Sequence, residues 1–481
     1  MQMYFDSYPR VVIGGLSGDS GKTVVTCGLA RAIIKRGLRV SLFKKGPDYI
    51  DAAWLGAAAG GHVRNLDAYL MGNDGLVRSF LKGARGSAIS IIEGNRGIFD
   101  GFDSKGTYST AELAKLLKAP IVIVQDISKV TRTAAASISG CNNIDPVLKI
   151  AGVILNRVAN KRHEQVVRRA IEELTGVPIL GAIPKLPDEF SLPSRYLGLI
   201  TPGEFENGSG VLDRLAKIME DCVDTTAIIN ISKKVPPMKF EVEDVEQRVI
   251  SASAKEKLRI AYFRDESFSF YYPENLETLS VHGAELIPIS ASADRIPEDI
   301  DLLYIGGGFP ERNINKITAN ASALHAVKKM AEEGLPIYAE CGGLIYLSRS
   351  LELNGKEYAL SGVLPIKIRL YDFPQGHGYC EALVDGENPY FPVGTMLKGH
   401  EFHYSGITGY DPEVKFTVSV LRGNGAVANR DGILYKNVFA SYMHLNAVSC
   451  PEWVNGVLRC ARNYRMRKAK GGILETNIVE L

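Results

Sequence analysis

The sequence predicts an α/β protein built from two doubly wound domains, each with a parallel sheet covered by helices on both faces. Three observations lead to this prediction. Short β-branched runs alternate with helical stretches in the first half of the chain, which is typical of a covered parallel sheet. A charged stretch interrupts this pattern near the middle, and a second α/β series follows it. With 481 residues, the chain is also too long for a single hydrophobic core.

The predicted boundaries follow this pattern, with a first domain over residues 10–232, a linker over 233–257 and a second domain over 258–465. Strands of the first domain are expected at 11–13, 39–43, 89–92, 121–124, 151–155 and 178–181. Helices are expected at 23–36, 110–117, 163–174 and 211–221. Strands of the second domain are expected at 258–262, 302–305, 336–339 and 438–441. The tail after Arg462 is expected to form a surface helix or to fray.

Composition disfavours several classes of function. The formal net charge is only +2, so neither nucleic acid nor a membrane surface is an expected partner. No apolar run approaches the roughly 20 residues that span a bilayer, and no signal peptide is expected at the start. The seven cysteines are scattered and include no CxxC pair, which favours reduced thiols in the cytoplasm.

A phosphate-binding loop is predicted where the first strand meets the first helix, in the sequence GGLSGDSGKT at residues 14–23. Successive backbone N–H groups and a helix N-terminus favour an anion at such a turn. Lys22 is expected to reach the terminal phosphates of ATP, and Thr23 is expected to ligate Mg²⁺. The other residues expected to bind ATP in this loop are Gly15, Ser17, Gly18, Asp19, Ser20 and Gly21.

The length of the loop narrows the class of ATPase. Five residues lie between Gly15 and Gly21, one more than in the usual pattern. This longer loop resembles that of the dethiobiotin-synthetase-like ATPases. Partitioning ATPases of the same superfamily carry a further lysine where this chain has Ser17, which disfavours a partitioning-type ATPase switch. The alternative of a glycine-rich turn that binds nothing is disfavoured by GKT at the head of a helix.

Charged residues follow the neighbouring strands. Lys44, Asp48 and Asp51 lie in FKKGPDYID after the second strand, and Glu93 ends the third. Parallel strands end at one edge of a sheet, where ligands bind. Asp48 and Glu93 are expected to ligate Mg²⁺, and Lys44 to neutralise charge on the transferred phosphoryl group. Asp51 is expected to contact the substrate, while solvated loop charges are the alternative.

Asn156 ends another strand of the first domain, in GVILNRV. Its side chain is expected to hydrogen-bond the adenine of ATP. The alternative is that it serves only as a turn residue, which is common for asparagine at a strand end.

The second domain carries a candidate nucleophile at the end of a strand. Cys341 lies in YAECGGL, between an apolar strand and a predicted helix. Such a sharp turn exposes the sulfur, and the helix dipole is expected to favour the thiolate. The backbone N–H groups of Gly307, Gly308 and Gly342 are predicted to form an oxyanion hole. The alternative for a single cysteine is a small buried hydrophobe.

A nucleophilic thiol needs a base, and His444 is the leading candidate because it follows the strand at 438–441. His377, His400 and His403 are alternatives. Two reactive sites on one chain, one for a nucleoside triphosphate and one for acyl transfer through a thiol, predict ATP-driven amidation with ammonia from glutamine.

The ordered motifs resemble the cobyrinate a,c-diamide synthase family, in which a dethiobiotin-synthetase-like ATPase is fused to a class I glutamine amidotransferase of flavodoxin-like fold. The resemblance runs from about residue 10 to about residue 446. It is carried by FKKGPDYID, RNLDAYL, IEGNRGIFDG, GVILNRV, LPSRYLGLITPGE, FSFYYPEN, AECGGL and GHEFHYS. It implies a cytoplasmic ligase that uses ATP, Mg²⁺ and glutamine.

The resemblance also implies a mechanism. Cys341 would attack the amide of glutamine while His444 shuttles protons, and ATP would phosphorylate an acetate side chain of a tetrapyrrole. Ammonia would then displace phosphate, which gives the a and c amides. Asp51 and Asp100 are implied to line the tetrapyrrole site. The expected partners are the tetrapyrrole and glutamine, and a homodimer is left open.

Departures from the family pattern bear on the substrate. This chain has Lys45, Asn95 and Arg96, where the family often reads FKVGPDY and EGVxGLYDG. Relatives that amidate sirohaem or nickel-sirohydrochlorin therefore provide alternative substrates, and EGNRGIFDGFD with STAELAKLLKAP is nearer the sirohaem type. Cobyric acid synthase is an alternative enzyme, but GPDYID and GHEFHYS fit the a,c-diamide type better.

A second departure concerns the histidine. Glutaminase triads usually have a glutamate two residues after the histidine, and this chain has Asn446 there. The sequence therefore does not identify what orients His444, and Glu401 is a candidate.

Overall fold

The computed structural model describes residues 3–187, 192, 194–195, 198–199, 208–241 and 257–470. The chain divides into two units, residues 1–243 and residues 244–481. Within the described residues, no helix is both long enough and apolar enough to cross a membrane. Most of the motif at 192–204 and residues 242–256 of the predicted linker lie outside the described residues, as does the tail from residue 471.

Strands of the first unit are β1 Met3–Asp6, β2 Arg10–Gly15, β3 Val40–Lys45, β4 Arg64–Leu66, β5 Ile89–Glu93, β6 Ile121–Asp126, β7 Ile150–Val158, β8 Ile179–Pro184, β9 Ser194–Arg195, β10 Gly198–Leu199 and β11 Met238–Glu241. Seven of them form one sheet in the order β4-β3-β5-β2-β6-β7-β8. Every neighbouring pair in this sheet is parallel, as predicted. The six predicted strands are confirmed. Strand β4 was not predicted because it has only three residues, two of them polar.

Helices of the first unit are α1 Lys22–Lys35, α2 Tyr49–Ala59, α3 Ala68–Ala84, α4 Thr110–Leu116, α5 Thr133–Ile144, α6 Lys161–Thr175, α7 Gly208–Cys222 and α8 Thr225–Lys233. Capping side chains fix where several of them begin. Asp48 accepts hydrogen bonds from the first turn of α2, and Asp67 and Ser109 do so for α3 and α4. Helix α1 packs closely on α7, because a Cβ at Gly28 would lie 2.8 Å from the carbonyl oxygen of Leu215.

The first residues of the predicted linker belong to the first unit. Strand β11 pairs antiparallel with β1, the first strand of the unit along the chain. The guanidinium of the buried Arg10 donates to the carbonyl oxygen of Pro236 at 2.9 Å. These contacts hold residues 236–241 against the start of the chain.

Strands of the second unit are β12 Leu258–Phe263, β13 Ala284–Ile289, β14 Leu302–Ile305, β15 Ile337–Glu340, β16 Ser350–Leu353, β17 Lys356–Ala359, β18 Ile366–Leu370, β19 Gly376–Val384, β20 Met396–His403, β21 Ser405–Tyr410, β22 Lys415–Arg422, β23 Arg430–Tyr435, β24 Val438–Ser441 and β25 His444–Leu445. Its helices are α9 Pro273–Val281, α10 Ile314–Ala319, α11 Ala321–Glu332, α12 Gly342–Leu347 and α13 Pro451–Ala469, with a 3₁₀ helix at Pro310–Asn313. Helix α13 contains the start of the predicted surface helix.

The main sheet of the second unit is mixed. Its first five strands, in the order β13-β12-β14-β15-β24, are parallel and include the four predicted strands. Strands β23-β22-β19-β20-β25 continue the same sheet with antiparallel pairing. The antiparallel strands were not predicted, because glycines such as Gly378 and Gly399 interrupt their apolar runs.

Candidate active sites

The predicted phosphate loop joins β2 to α1, and a side chain from β7 braces it. Asn156 donates from Nδ2 to the carbonyl oxygen of Ser20 at 2.9 Å, and its Oδ1 accepts from the backbone N–H of Arg157. Gly21 has a φ of 90°, and a Cβ there would lie 2.2 Å from Nδ2 of Asn156. Glycine is therefore required at this position by both conformation and space. The adenine contact of Asn156 stays a prediction.

Lys22 folds into this loop. Its Nζ donates to the carbonyl oxygen of Ser17 at 2.9 Å and lies 3.4 Å from Oγ of Ser20. Burial, and then the charge of Lys44, lower the pKa of Lys22. A Cβ at Gly15 would lie 2.4 Å from Oγ of Ser20, so the loop closes tightly around the amine. The structure also places the predicted Gly18 and Asp19 in this loop, where both are exposed.

Four predicted residues meet at the carboxyl ends of β3 and β5. Nζ of Lys44 lies 2.5 Å from Oδ2 of Asp51 and 2.7 Å from Oε1 of Glu93. The hydroxyl of Thr23 donates to the same Oε1 at 2.9 Å. The phosphate loop, the predicted metal ligands and the predicted phosphoryl-binding lysine therefore form one cluster.

Opposite charges dominate this cluster. Burial alone would lower the pKa of Lys44, but the charges of Asp51 and Glu93 outweigh it and raise that pKa. Burial would likewise raise the pKa of Asp51, and Lys44 reverses this to a lowered pKa. Burial, and then the charge of Asp51, raise the pKa of Asp48 to about 7. Lys44 and Asp51 are thus held as an ion pair, whereas Asp48 titrates near neutrality.

The cluster suits a hard divalent cation. Burial raises the pKa of Glu93, and its Oε2 is buried with no hydrogen-bond partner among the described residues. Asp48 and Thr23 add a carboxylate and a hydroxyl. No group of three Asp, Glu, His or Cys side chains among the described residues would hold a metal alone. Mg²⁺ is typically bound by one or two carboxylates together with phosphates and water, so these oxygens fit it.

Asp100 lies beside the phosphate loop, because a Cβ at Gly97 would lie 2.7 Å from its Oδ2 and 2.9 Å from the carbonyl oxygen of Leu16. Its side chain is exposed, and Oδ2 accepts from the backbone N–H of Gly97 at 2.8 Å. Its implied contact with the substrate stays a prediction.

The predicted thiol site lies where β15 meets α12. Cys341 has a φ of 47° and a ψ of −98°, a strained turn for a residue with a side chain. Its backbone N–H donates to the carbonyl oxygen of Ser441 at 2.8 Å, three residues before His444. Its sulfur lies 3.9 Å from the carbonyl oxygen of Phe402. The turn therefore presents the thiol beside the end of β24.

The predicted base and oxyanion residues meet at this turn. A Cβ at Gly307 would lie 2.3 Å from Cε1 of His444, so the ring packs directly on that backbone. A Cβ at Gly342 would lie 3.0 Å from the backbone nitrogen of Gly308. Three glycines and one histidine from separate segments thus border the turn of Cys341.

A carboxylate that the sequence analysis did not single out contacts the histidine. Oε2 of Glu340 lies 3.4 Å from Nδ1 of His444, and both side chains are buried. Oε1 of Glu340 accepts from the backbone N–H of Leu445 at 3.4 Å. A glutamate that ends an otherwise apolar strand was the available signal, because buried carboxylates are uncommon outside functional sites.

Glu401, the other candidate partner of His444, contacts different groups. Glu401 accepts from the backbone N–H groups of Asn424 and Gly425 at 2.6 and 3.0 Å, and lies 3.7 Å from His403. Oδ1 of Asn446 accepts from the backbone N–H of Val448. The structure therefore places Glu340, and neither of these residues, against Nδ1 of His444.

The competing histidines have other surroundings. His400 stacks on His444 with ring centroids 4.8 Å apart, and its Nδ1 lies 3.0 Å from the hydroxyl of Tyr272. Burial lowers the pKa of His400, so this ring is neutral. His403 stacks on Tyr442. His377 is exposed.

Burial dominates the titration of the thiol. It raises the pKa of Cys341, and the hydrogen bond from the backbone of Gly342 lowers it by less. The thiolate expected from the helix dipole stays a prediction, and both the six-residue length of α12 and the burial of the sulfur oppose it. Attack by this thiol needs proton transfer to a base.

Comparison with known proteins matches each half of the chain to a domain family. Residues 11–199 match the CobQ/CobB/MinD/ParA nucleotide binding domain, and residues 259–450 match the CobB/CobQ-like glutamine amidotransferase domain. Cobyrinate a,c-diamide synthase of Magnetococcus marinus is 40% identical over 92% of this chain and 95% of its own. The chain belongs to the cobyrinate a,c-diamide synthase family. Members of this family are ATP-dependent amidoligases that use glutamine, and the predicted enzyme class and fold class are confirmed.

Two further relatives of the family have the same full-length match. Cobyrinate a,c-diamide synthase of Archaeoglobus fulgidus is 39% identical over 92% of this chain and 95% of its own. That of Dehalococcoides mccartyi strain 195 is 37% identical over 95% of this chain and 99% of its own. Among solved structures, PurLQS from Thermotoga maritima covers 44% of this chain at 18% identity, with a TM-score of 0.35.

Proposed function

We propose that this chain amidates the a and c acetate carboxylates of cobyrinate, with ATP as the energy source and glutamine as the nitrogen donor. The observation that supports the proposal is the presence of two separate candidate sites on one chain. One joins Lys22, Thr23, Lys44 and Glu93 at a phosphate loop, and the other sets Cys341 beside the oxyanion glycines and His444. The full-length relatives are cobyrinate a,c-diamide synthases, which supports cobyrinate as the substrate.

The first half-reaction activates the carboxylate. An acetate oxygen of the substrate attacks the γ-phosphorus of ATP, the bond to ADP breaks, and an acyl phosphate forms. Lys22 and Lys44 stabilise the negative charge that develops on the transferred group. Thr23, Asp48 and Glu93 would hold Mg²⁺, which neutralises charge on the phosphates. Asp51 keeps Lys44 charged through the ion pair of 2.5 Å.

The second half-reaction releases ammonia. The thiol of Cys341 gives its proton to His444 as the sulfur attacks the side-chain amide of glutamine. Backbone N–H groups of Gly307, Gly308 and Gly342 stabilise the tetrahedral oxyanion. His444 returns the proton to the leaving nitrogen, and water then hydrolyses the thioester to glutamate. Proton transfer is required because burial raises the pKa of the thiol.

Glu340 acts as a positioning residue in this half-reaction. Its carboxylate lies 3.4 Å from Nδ1 of His444 and holds the ring with Nε2 available for the thiol. The imidazolium that forms during attack is stabilised by the same charge. Ammonia finally attacks the acyl phosphate and displaces phosphate, which completes the amide.

The test is turnover with ATP and glutamine on cobyrinate, sirohaem and nickel-sirohydrochlorin side by side, with products identified by mass. We expect two amides to be added to cobyrinate. Amidation of sirohaem alone would show that sirohaem, and not cobyrinate, is the substrate. Sirohaem is included because Lys45, Asn95 and Arg96 depart from the family pattern. Absence of amidation on all three would overturn the proposal.

Replacement of the nucleophile tests the division between the two sites. Cys341→Ala should abolish amidation with glutamine, a loss of more than about 1000-fold, because no thioester can form. Ammonium chloride should still support the reaction within about threefold of wild type. Loss of both activities in a folded variant would contradict two separate sites.

A further inference from the structure

A cavity of about 470 Å³ opens in the first unit, away from the phosphate loop. It lies between α3 and α4 and borders the carboxyl end of β3. The residues that line it and carry the argument are Lys45, Leu66, Leu76, Lys105, Tyr108 and Glu112. None of them has a role in the reaction described above.

Lys45 supplies the cation of this cavity. It follows Lys44 on β3, and successive residues of a strand point to opposite faces of the sheet. Lys44 reaches Asp51 and Glu93 on one side, and Lys45 lines the cavity. Two consecutive lysines therefore serve two different places at one edge of the sheet.

Few groups of the chain offset the positive charge of the Lys45 ammonium group. The residue is 8% exposed, and the described part of the chain shows no hydrogen bond or ion pair for it. Burial lowers the pKa of Lys45, and Lys44 and Arg96 lower it further, while Asp67 raises it. Oδ1 of Asp67 caps α3 by accepting from the backbone N–H of Leu70 at 3.0 Å. A buried cation with so little support favours an anion from outside the chain.

The walls suit an anion carried on an apolar arm. Leu66 and Leu76 are buried, and Tyr108 packs edge-on against Tyr69 and Phe102 at centroid distances of 5.8 and 6.0 Å. These side chains provide apolar surface beside the charge of Lys45.

The remaining charges of the lining leave a cationic excess. Lys115 is paired with Glu112 and Asp145, each at 2.7 Å. Lys105 is exposed at the rim. The pairing of Lys115 with Glu112 neutralises the acidic residue of the lining, so Lys45 and Lys105 set the local charge.

We propose that this cavity binds a propionate arm of the tetrapyrrole, distinct from the acetate arm being phosphorylated, and that Lys45 pairs with its carboxylate. The proposal rests on the proposed function. Because Lys44 and Lys45 are neighbours on β3, a macrocycle bound at this edge can present one arm to each. Lys45 is thus a specificity-determining residue for the acid.

The test compares Lys45→Met with wild type, since methionine keeps the apolar stem and removes the charge. The Kd for cobyrinate is measured by the absorbance of the macrocycle, without ATP or glutamine. Loss of a buried charge pair should raise this Kd about 10- to 100-fold. The KM for ATP and the glutaminase rate should stay within about twofold. The matched control is the exposed Lys149→Met, which should leave all of these values unchanged.

A second arm identifies the carboxylate as the partner. The Kd of both proteins is also measured for cobyrinate whose propionates are already amides. The effect of Lys45→Met on this Kd should shrink to about twofold if a propionate carboxylate is the partner. Inorganic phosphate is also tested as a competitor of amidated cobyrinate, as a probe for a free anion that binds at Lys45. Equal Kd values for the intact acid in wild type and Lys45→Met would overturn the proposal, as would an undiminished effect on the amidated acid.

Failure of the inference and of the proposed function can be told apart. If wild type amidates cobyrinate and Lys45→Met binds it normally, only the role of the cavity is wrong. If wild type neither binds nor amidates any of the three tetrapyrroles, the proposed function fails and the cavity proposal falls with it. Thermal unfolding checks that Lys45→Met is folded, and the loss of a buried charge is not expected to lower its Tm.

Discussion

The two candidate sites solve the same problem, the activation of a poor reactant, with opposite electrostatics. At the phosphate loop, Lys44 is held charged by Asp51 and Glu93. At the thiol turn, burial holds Cys341 protonated. The difference follows from the chemistry, since phosphoryl transfer needs fixed cations whereas the thiol needs a charge that appears only during attack.

A mutation at one site should therefore affect only the half-reaction proposed for that site. Removing a cation from the first site should stop amidation whatever the nitrogen source. Removing a proton carrier from the second should affect only the use of glutamine.

Lys22→Ala should reduce amidation more than about 100-fold with either glutamine or ammonia, because the loop loses the amine that reaches the phosphates. Initial rates of ADP formation with each nitrogen source check this. Glutaminase activity at the thiol site should persist. Normal amidation with ammonia in this variant would refute the role of the loop.

Glu340→Gln should lower the kcat of glutamine hydrolysis about 100-fold and leave the KM for glutamine within threefold, because the ring of His444 loses its orienting charge. Ammonia-dependent amidation should be unaffected. Glu401→Gln is the matched control, since its carboxylate bonds to the backbone of Asn424 and Gly425. A larger effect for Glu401→Gln would assign the orienting role to that residue instead.

Binding of Mg·ATP should weaken about 10-fold as the pH falls from 8 to 6, because Asp48, with a pKa of about 7, loses its charge in this range. Titration calorimetry on Cys341→Ala at several pH values measures this. Asp48→Asn should bind Mg·ATP weakly at every pH. A pH-independent affinity in the parent would show that Asp48 is not a ligand.

The same residue gives a stability prediction of defined sign. A carboxyl with a raised pKa holds a proton that the unfolded chain lacks, so it stabilises the fold less as the pH rises towards 7. Asp48→Asn removes this loss, although it also weakens the cap of α2. Without nucleotide, the Tm of the variant relative to the parent should therefore be higher at pH 8 than at pH 5, by a few degrees.

Asn156→Ala should have the smallest effect, a rise of about three- to tenfold in the KM for ATP, because the loop loses its brace at Ser20. Glutaminase kinetics should not change. Asn143→Ala, at an exposed position of α5, is the control. An unchanged KM for ATP would mean that the loop keeps its shape without this hydrogen bond.

Sequence patterns were most informative where function depends on neighbours along the chain. The phosphate loop, Lys44 and Asp48 after β3, and Cys341 after β15 are each placed by one strand and the turn that follows it. Strands β16–β23 were not predicted; in β19 and β20, glycines such as Gly378 and Gly399 interrupt the apolar runs.

The contact between Glu340 and His444 could not be predicted from local sequence patterns. Glu340 directly precedes Cys341, yet its role depends on a residue more than 100 positions later. It faces His444 because β15 and β24 pair in parallel with Glu340 opposite Ser441. Glutaminase triads usually have a glutamate two residues after the histidine, whereas in this chain the carboxylate that contacts His444 comes from another strand of the sheet.

The sequence predicts the two-domain α/β organisation, the phosphate loop and Cys341 as the candidate nucleophile, because each depends on a short run of residues. Only the tertiary structure shows that Glu93 contacts both Lys44 and Thr23, that Glu340 contacts His444, and that Lys45 lines a separate cavity. These contacts depend on strand order and register, which bring together residues that are far apart in the chain.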